Sequence, residues 1–83
     1  MKLAKYVKFR EEKFGGVLFE TRSEKVYTLN PTATAVVREI QAGGDAVAIP
    51  GRLKQRFNDG SGAIEREAAA FIAELREKGL VED

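Results

Sequence analysis

Cysteine and histidine are both missing from this chain. Without cysteine there is no disulfide and no Cys-type zinc site. Without histidine there is no Cys-His or Ser-His catalytic pair. The lack of cysteine also fits a cytoplasmic protein. A dominant charge sign is missing too: 14 lysines and arginines face 13 acidic residues, a net charge of +1. Dedicated nucleic-acid binders are more basic than this, because counterion release supplies most of their non-specific affinity. No apolar run approaches the ~20 residues that span a bilayer. Lys2, Lys5 and Lys8 interrupt the start, so it has no signal-peptide core. What is present is ordinary for a folded, soluble domain: 43% hydrophobic and 33% charged residues in 83. One small domain over residues 1–83 is expected, of a size that is marginal without a staple or a partner.

The first thirty residues read as strands. Tyr6 to Arg10 alternates apolar and polar side chains, as a half-buried strand does. "EEKFGG" then supplies a turn at Gly15-Gly16, Val17 to Thr21 a second strand, and "RSE" a short polar link to a third, "KVYTL". Links this short join antiparallel neighbours, since parallel crossovers need a dozen residues or more.

The period then changes. Ala33, Val36, Val37 and Ile40 fall at i, i+3, i+4, i+7, one face of a helix. Asn30 is placed to cap it and Pro31 to begin it, where a missing N–H costs nothing. Gly43-Gly44 end it. Ile49, Leu53 and Phe57 mark a shorter second helix with Pro50 in its first turn. Ile64, Ala68, Phe71, Ile72 and Leu75 mark a longer third, capped at its start by Ser61 or Asp59 and closed by a left-handed Gly79 with Leu80 packing back. The fold class is α+β, winged helix-turn-helix-like: a three-stranded antiparallel sheet followed by three helices that cover its apolar face.

"VYTLNPTATAVVREIQAGG" resembles the strand-to-helix signature of the PqqD family, in which a strand ends in Leu-Asn and a Thr-x-Ala helix closed by glycine follows. "IEREAAAFIAELREKGLVE" is similar to that family's last helix, and "FREEKFGGVLFET" to its first hairpin. The resemblance runs from about Tyr6 to Glu82. It implies a RiPP recognition element: a non-catalytic module without a cofactor. Such a module binds the leader segment of a ribosomally made precursor peptide and delivers it to a modifying enzyme. That enzyme is typically a radical SAM protein carrying iron–sulfur clusters, or, in lasso-peptide systems, a leader peptidase. The resemblance also implies that the leader adds as a strand to the third strand, beside the third helix. One departure is visible: the second helix carries Pro50-Gly51 where the family usually has no break.

The residues are compatible with that mechanism. If pairing follows sequence order, Lys25, Val26, Tyr27, Thr28 and Leu29 form an edge with free N–H and C=O groups, open to an added strand. On a helical wheel, Glu65, Ala69 and Arg76 lie beside the core face of the third helix, with Ile72 at its margin and Ala68 within it. They are the expected pocket wall: small alanines for access, Ile72 as an apolar floor, and Glu65 and Arg76 as charge partners. Glu67, Glu74 and Lys78, on the opposite flank, read as solvated. Each of these residues also has a plainer reading. Tyr27 and Ile72 are good core residues, Ala68 to Ala70 favour any helix, and Glu65 and Arg76 suit a surface.

Two other functions compete. Winged helices often bind DNA, and Arg52, Lys54 and Arg56 make the second helix basic. The third helix, however, presents Glu65, Glu67, Glu74 and Glu77 where base-reading side chains belong. Catalysis finds no support, because "AGGDA" and "NDGSG" match no phosphate loop. A dimerisation module built on the open edge is compatible with the same strand.

Overall fold

The computed structural model describes residues 1–58 and 60–82. Their order is β1 (Lys2–Leu3), β2 (Val7–Glu12), β3 (Gly15–Glu20), β4 (Lys25–Leu29), α1 (Pro31–Gln41), α2 (Ile49–Arg56), α3 (Ala63–Glu77) and β5 (Val81–Glu82). The expected α+β arrangement of three antiparallel strands followed by three helices is present as β2-β3-β4 and α1 to α3. β1 and β5 are additional. They pair antiparallel, Lys2 with Glu82 and Leu3 with Val81. Strands of two residues are too short to show a period, so the sequence pattern passes over them.

The first turn lies two residues earlier than expected. Glu12 pairs with Gly15, so Lys13 and Phe14 make the turn and the two glycines open β3. They are there for closeness. A Cβ on Gly15 would stand 2.2 Å from the carbonyl oxygen of Leu29, and one on Gly16 2.8 Å from the Phe9 ring. Only backbone fits between β2 and the end of β4 at this point.

In the sheet, Val7 pairs with Glu20, Leu18 with Tyr27 and Gly16 with Leu29, and these pairs face the helices. Val17, Phe19 and Val26 face the other way and leave Phe19 and Val26 exposed. Helix α1 begins where the sequence places it. The side chain of Asn30 accepts a hydrogen bond from the Ala33 N–H at 2.8 Å, and Pro31 follows at the first helical position. This helix packs on β3 on one side and on α2 and α3 on the others. It therefore buries Thr34 and Ala35 as well as the expected Val36, Val37 and Ile40.

In α2, Ile49 and Leu53 are fully buried. Phe57 does not continue that stripe: it follows the helix and is 43% exposed. At the start of α3 the cap position is Gly62, in the left-handed conformation, and Ser61 accepts from the Ala63 N–H one residue further out at 3.2 Å. The alternative cap, Asp59, lies outside the described residues. At the far end the Leu80 N–H bonds to the Leu75 carbonyl at 2.9 Å and the Gly79 N–H to that of Arg76 at 3.1 Å. That pair of bonds is a Schellman motif, with Gly79 at φ +71° and Leu80 packed into the core behind it. Leu18, Val36, Val37, Ile40, Ile49, Leu53, Leu75 and Leu80 are the largest fully buried side chains, and they unite the sheet with all three helices.

Candidate peptide-binding cleft

β4 is an edge strand, hydrogen-bonded only to β3 in its sheet. Its remaining backbone groups form one lip of an open cleft of about 360 Å³, and α3 forms the other. The strand contributes Tyr27, Thr28 and Leu29, and the start of α1 adds Thr32 and Ala33. The helix contributes Ala70 and Phe71 as an apolar wall, with Glu67, Glu74 and Lys78 along its rim. Leu18, Leu75 and Leu80, all from the core, make the floor. An apolar trough beside unpaired N–H and C=O groups suits an extended peptide: ladder bonds from the strand, one buried side chain in the trough, and charged neighbours at the rim.

Several bonds fix the geometry. The Asn30 side chain uses both of its ends, accepting from Ala33 and donating to the Glu67 carboxylate at 2.9 Å. The helix cap thus holds the start of the third helix against the end of the strand. The β3–β4 turn is organised by Glu20, which is 9% exposed and accepts from the Arg22 N–H at 2.8 Å and from the Ser23 hydroxyl. Those bonds, the Ser23 hydroxyl foremost, hold its carboxyl below the ordinary carboxylate value. At the opposite end of the molecule, Arg38 on α1 grips Glu11 on β2 through two hydrogen bonds, which lower the Glu11 pKa and raise that of Arg38.

The expected site residues divide into two groups. Lys25 to Leu29 form the edge as expected, with Tyr27 and Leu29 facing the cleft side, Thr28 lining it, and Val26 turned to the outer face with Phe19. Of the expected helical wall, none of Glu65, Ala68, Ala69, Ile72 and Arg76 lines this cleft. Ala68 and Ile72 are core residues, 0% and 5% exposed. Glu65 sits 3.9 Å from Lys54 of α2, and Ala69 and Arg76, at i+4 and i+11 from it, share that side of the helix. The wall comes instead from the flank of Glu67, Glu74 and Lys78. A wheel shows two margins to a core face and says nothing about which one meets the sheet.

The basic side chains of α2 are engaged. Arg52 lies 2.7 Å and Arg56 3.6 Å from the Glu39 carboxylate, and Lys54 pairs with Glu65. Among the described residues no group of three or more acidic, histidine or cysteine side chains is arranged to hold a metal. Among the described residues no helix is long and apolar enough to cross a membrane.

The family profile described as "Coenzyme PQQ synthesis protein D (PqqD)" matches residues 15–81, from the first glycine of β3 to β5. The chain belongs to the PqqD family. Solved structures similar to this PqqD-family chain agree on the fold. One is described as lasso peptide synthetase B1 complexed with the leader peptide. It superimposes with a TM-score of 0.79 at 24% identity, covering 99% of this chain and 96% of that one. TbiB1 in complex with the TbiA(beta) leader peptide gives 0.82 at 18% identity over 99% and 95%. SuiB of Streptococcus suis gives 0.54 at 20% identity, covering 95% of this chain but 22% of that longer one. Among curated protein sequences there is no match.

Proposed function

We propose that this PqqD-family chain binds the leader segment of a ribosomally made precursor peptide as an added strand on β4, with one leader side chain in the cleft beside α3, and presents it to a modifying enzyme. The observation that carries this reading is the coincidence of the open edge and the apolar cleft: the strand with free ladder groups is the strand that walls the trough. Family membership supports it, as do the two similar structures that were solved with leader peptides. The chain acts as a binding module without catalysis of its own, and a cytoplasmic location fits its lack of cysteine. The enzyme it serves is a radical SAM maturase, as the PqqD resemblance implies. A leader peptidase is the second reading, favoured by near-complete superposition on the lasso peptide synthetase B1 structure.

The test is a titration of isotopically labelled chain with the leader half of the precursor encoded nearest to it. Chemical-shift changes should concentrate on residues 25–29 and on Glu67, Phe71 and Lys78. N-methylating alternate backbone positions of that leader should abolish binding at one parity and leave the other parity intact, because an added strand points only every second N–H at β4. Changes confined to α2 or to the outer sheet face, or equal sensitivity at both parities, would refute strand addition.

A further inference from the structure

The two ends of the cleft differ in charge, and the hydrogen bonds define which end is which. At one end Asn30, directly after β4, donates to Glu67 in the second turn of α3. At the other end Tyr6 joins both walls: its carbonyl accepts from the Thr21 N–H beside the β3–β4 turn, and its hydroxyl donates to the Gly79 carbonyl just past α3. Strand and helix therefore run antiparallel along the cleft. Glu67 faces the Leu29 end, and Lys78 faces the end where Lys25 begins the strand.

Both charges are available. Neither Glu67 nor Lys25 is in an ion pair with any described residue. Lys78 lies 3.4 Å from Glu74, which neutralises part of its charge; Lys25 begins the strand just beyond the lining residues, on the Tyr27 face, and adds a second cation at that end. The lengths match. Lys25 to Leu29 extends about 13 Å at ~3.3 Å per strand residue, and Glu67 to Lys78 about 16 Å at ~1.5 Å per helical residue. A five-residue strand laid on β4 turns three alternate side chains toward α3: one at each charged end and one at the apolar centre, between Tyr27 and Phe71.

We propose that the cleft reads the polarity of its leader: a cationic side chain beside Glu67, a bulky apolar one at the centre, and a carboxylate beside Lys25 and Lys78. This inference rests on the leader-binding reading above. The added strand runs antiparallel to β4, like every pairing already in the sheet and in keeping with the greater stability of antiparallel ladders. From the leader's N-terminus the order is therefore cation, any residue, large apolar, any residue, carboxylate.

Two short labelled peptides test it, one with the core Lys-Thr-Leu-Thr-Asp and one with Asp-Thr-Leu-Thr-Lys, in identical Ser-Gly flanks. Fluorescence anisotropy at low salt should favour the first by about tenfold, since each rim charge contributes modestly and the two add. The preference should shrink as salt is raised. Exchanging the charges in the doubly substituted Lys25→Glu, Glu67→Lys chain should invert it. Equal affinities, or preference for the second peptide by the native chain, would overturn the polarity. If alternate N-methylation still discriminates in that case, strand addition itself stands. If neither peptide binds, the polarity reading falls alone; if both parities of N-methylation of the natural leader are equally tolerated, strand addition falls with it.

Discussion

Ile72 and Phe71 are neighbours in sequence with opposite duties. Ile72 is 5% exposed within the core, whereas Phe71 is half-buried and walls the cleft. Ile72→Ala should cost about 2–5 kcal/mol of stability, as truncations in a packed core do, and the protein that remains folded should bind peptide normally. Phe71→Ala should cost less stability and weaken peptide binding. Chemical denaturation together with anisotropy separates the two outcomes. Glu20 and Glu11 add a pH dependence. Both carboxyls are more acidic in the folded chain than the ordinary value of 4.5, Glu20 chiefly through the Ser23 hydroxyl and Glu11 through Arg38. A carboxyl of this kind stabilises the fold above its unfolded pKa, and that contribution disappears as the pH falls through the lower folded value. Stability should therefore decline more steeply below about pH 4.5. Glu20→Gln should be less stable than the parent at neutral pH and show a flatter acid limb. Parallel melting curves for the two proteins from about pH 5 to about pH 3 would contradict this assignment.

Among the elements, the junction of β4 and α1 bears the most consequence. Asn30 ends the strand, caps the helix and ties α3 to both. Asn30→Ala should destabilise by about 0.5–2 kcal/mol, the range for a lost N-cap. Asn30→Asp keeps the cap acceptor but replaces the donor to Glu67 by a like charge. It should therefore retain more stability than alanine while altering peptide binding more. Equal effects of the two substitutions on binding would mean that the Glu67 bond does not shape the cleft. This junction was legible in the sequence because Leu-Asn-Pro changes the period within two residues, and so was β4, with its alternating side chains. The wall of α3 was less legible. Ala68 and Leu75 are buried as its stripe implies, while Ile72, not Phe71, joins them in the core; a helix has two margins, and only the hand with which it crosses the sheet decides which one meets β4. That hand is set by α1 and α2 together and leaves no mark on the residues of α3 alone. The position of the first turn was obscured for a related reason. Gly15 and Gly16 look like turn residues, yet Gly15 is required by the approach of the Leu29 backbone and Gly16 by the Phe9 ring and Thr34 side chain, contacts outside the turn.

Across the whole molecule, charge is balanced locally. The basic residues of α2 answer Glu39 and Glu65, and Arg38 answers Glu11. Binding to duplex DNA should therefore be weak, with a shallow dependence of affinity on salt; a steep dependence in a salt titration would require a basic surface that these pairings consume. The ribbon of β1 and β5 has a different outcome. Lys2 and Glu82 are opposite one another across that ribbon, and Ala4 bonds to Leu80 at 2.9 Å. The path of the backbone is thus almost a closed circle, and the place where it is cut is of small importance to its interior. A circular permutant with its ends joined by a short flexible linker and reopened beside Val47, which is 88% exposed, should keep its cleft at a cost on the order of 1 kcal/mol in loop entropy. The same closeness would let these residues be spliced into a surface loop of a larger protein. Host and insert would then meet at a single two-stranded stalk, leaving β4 and α3 clear of the joint.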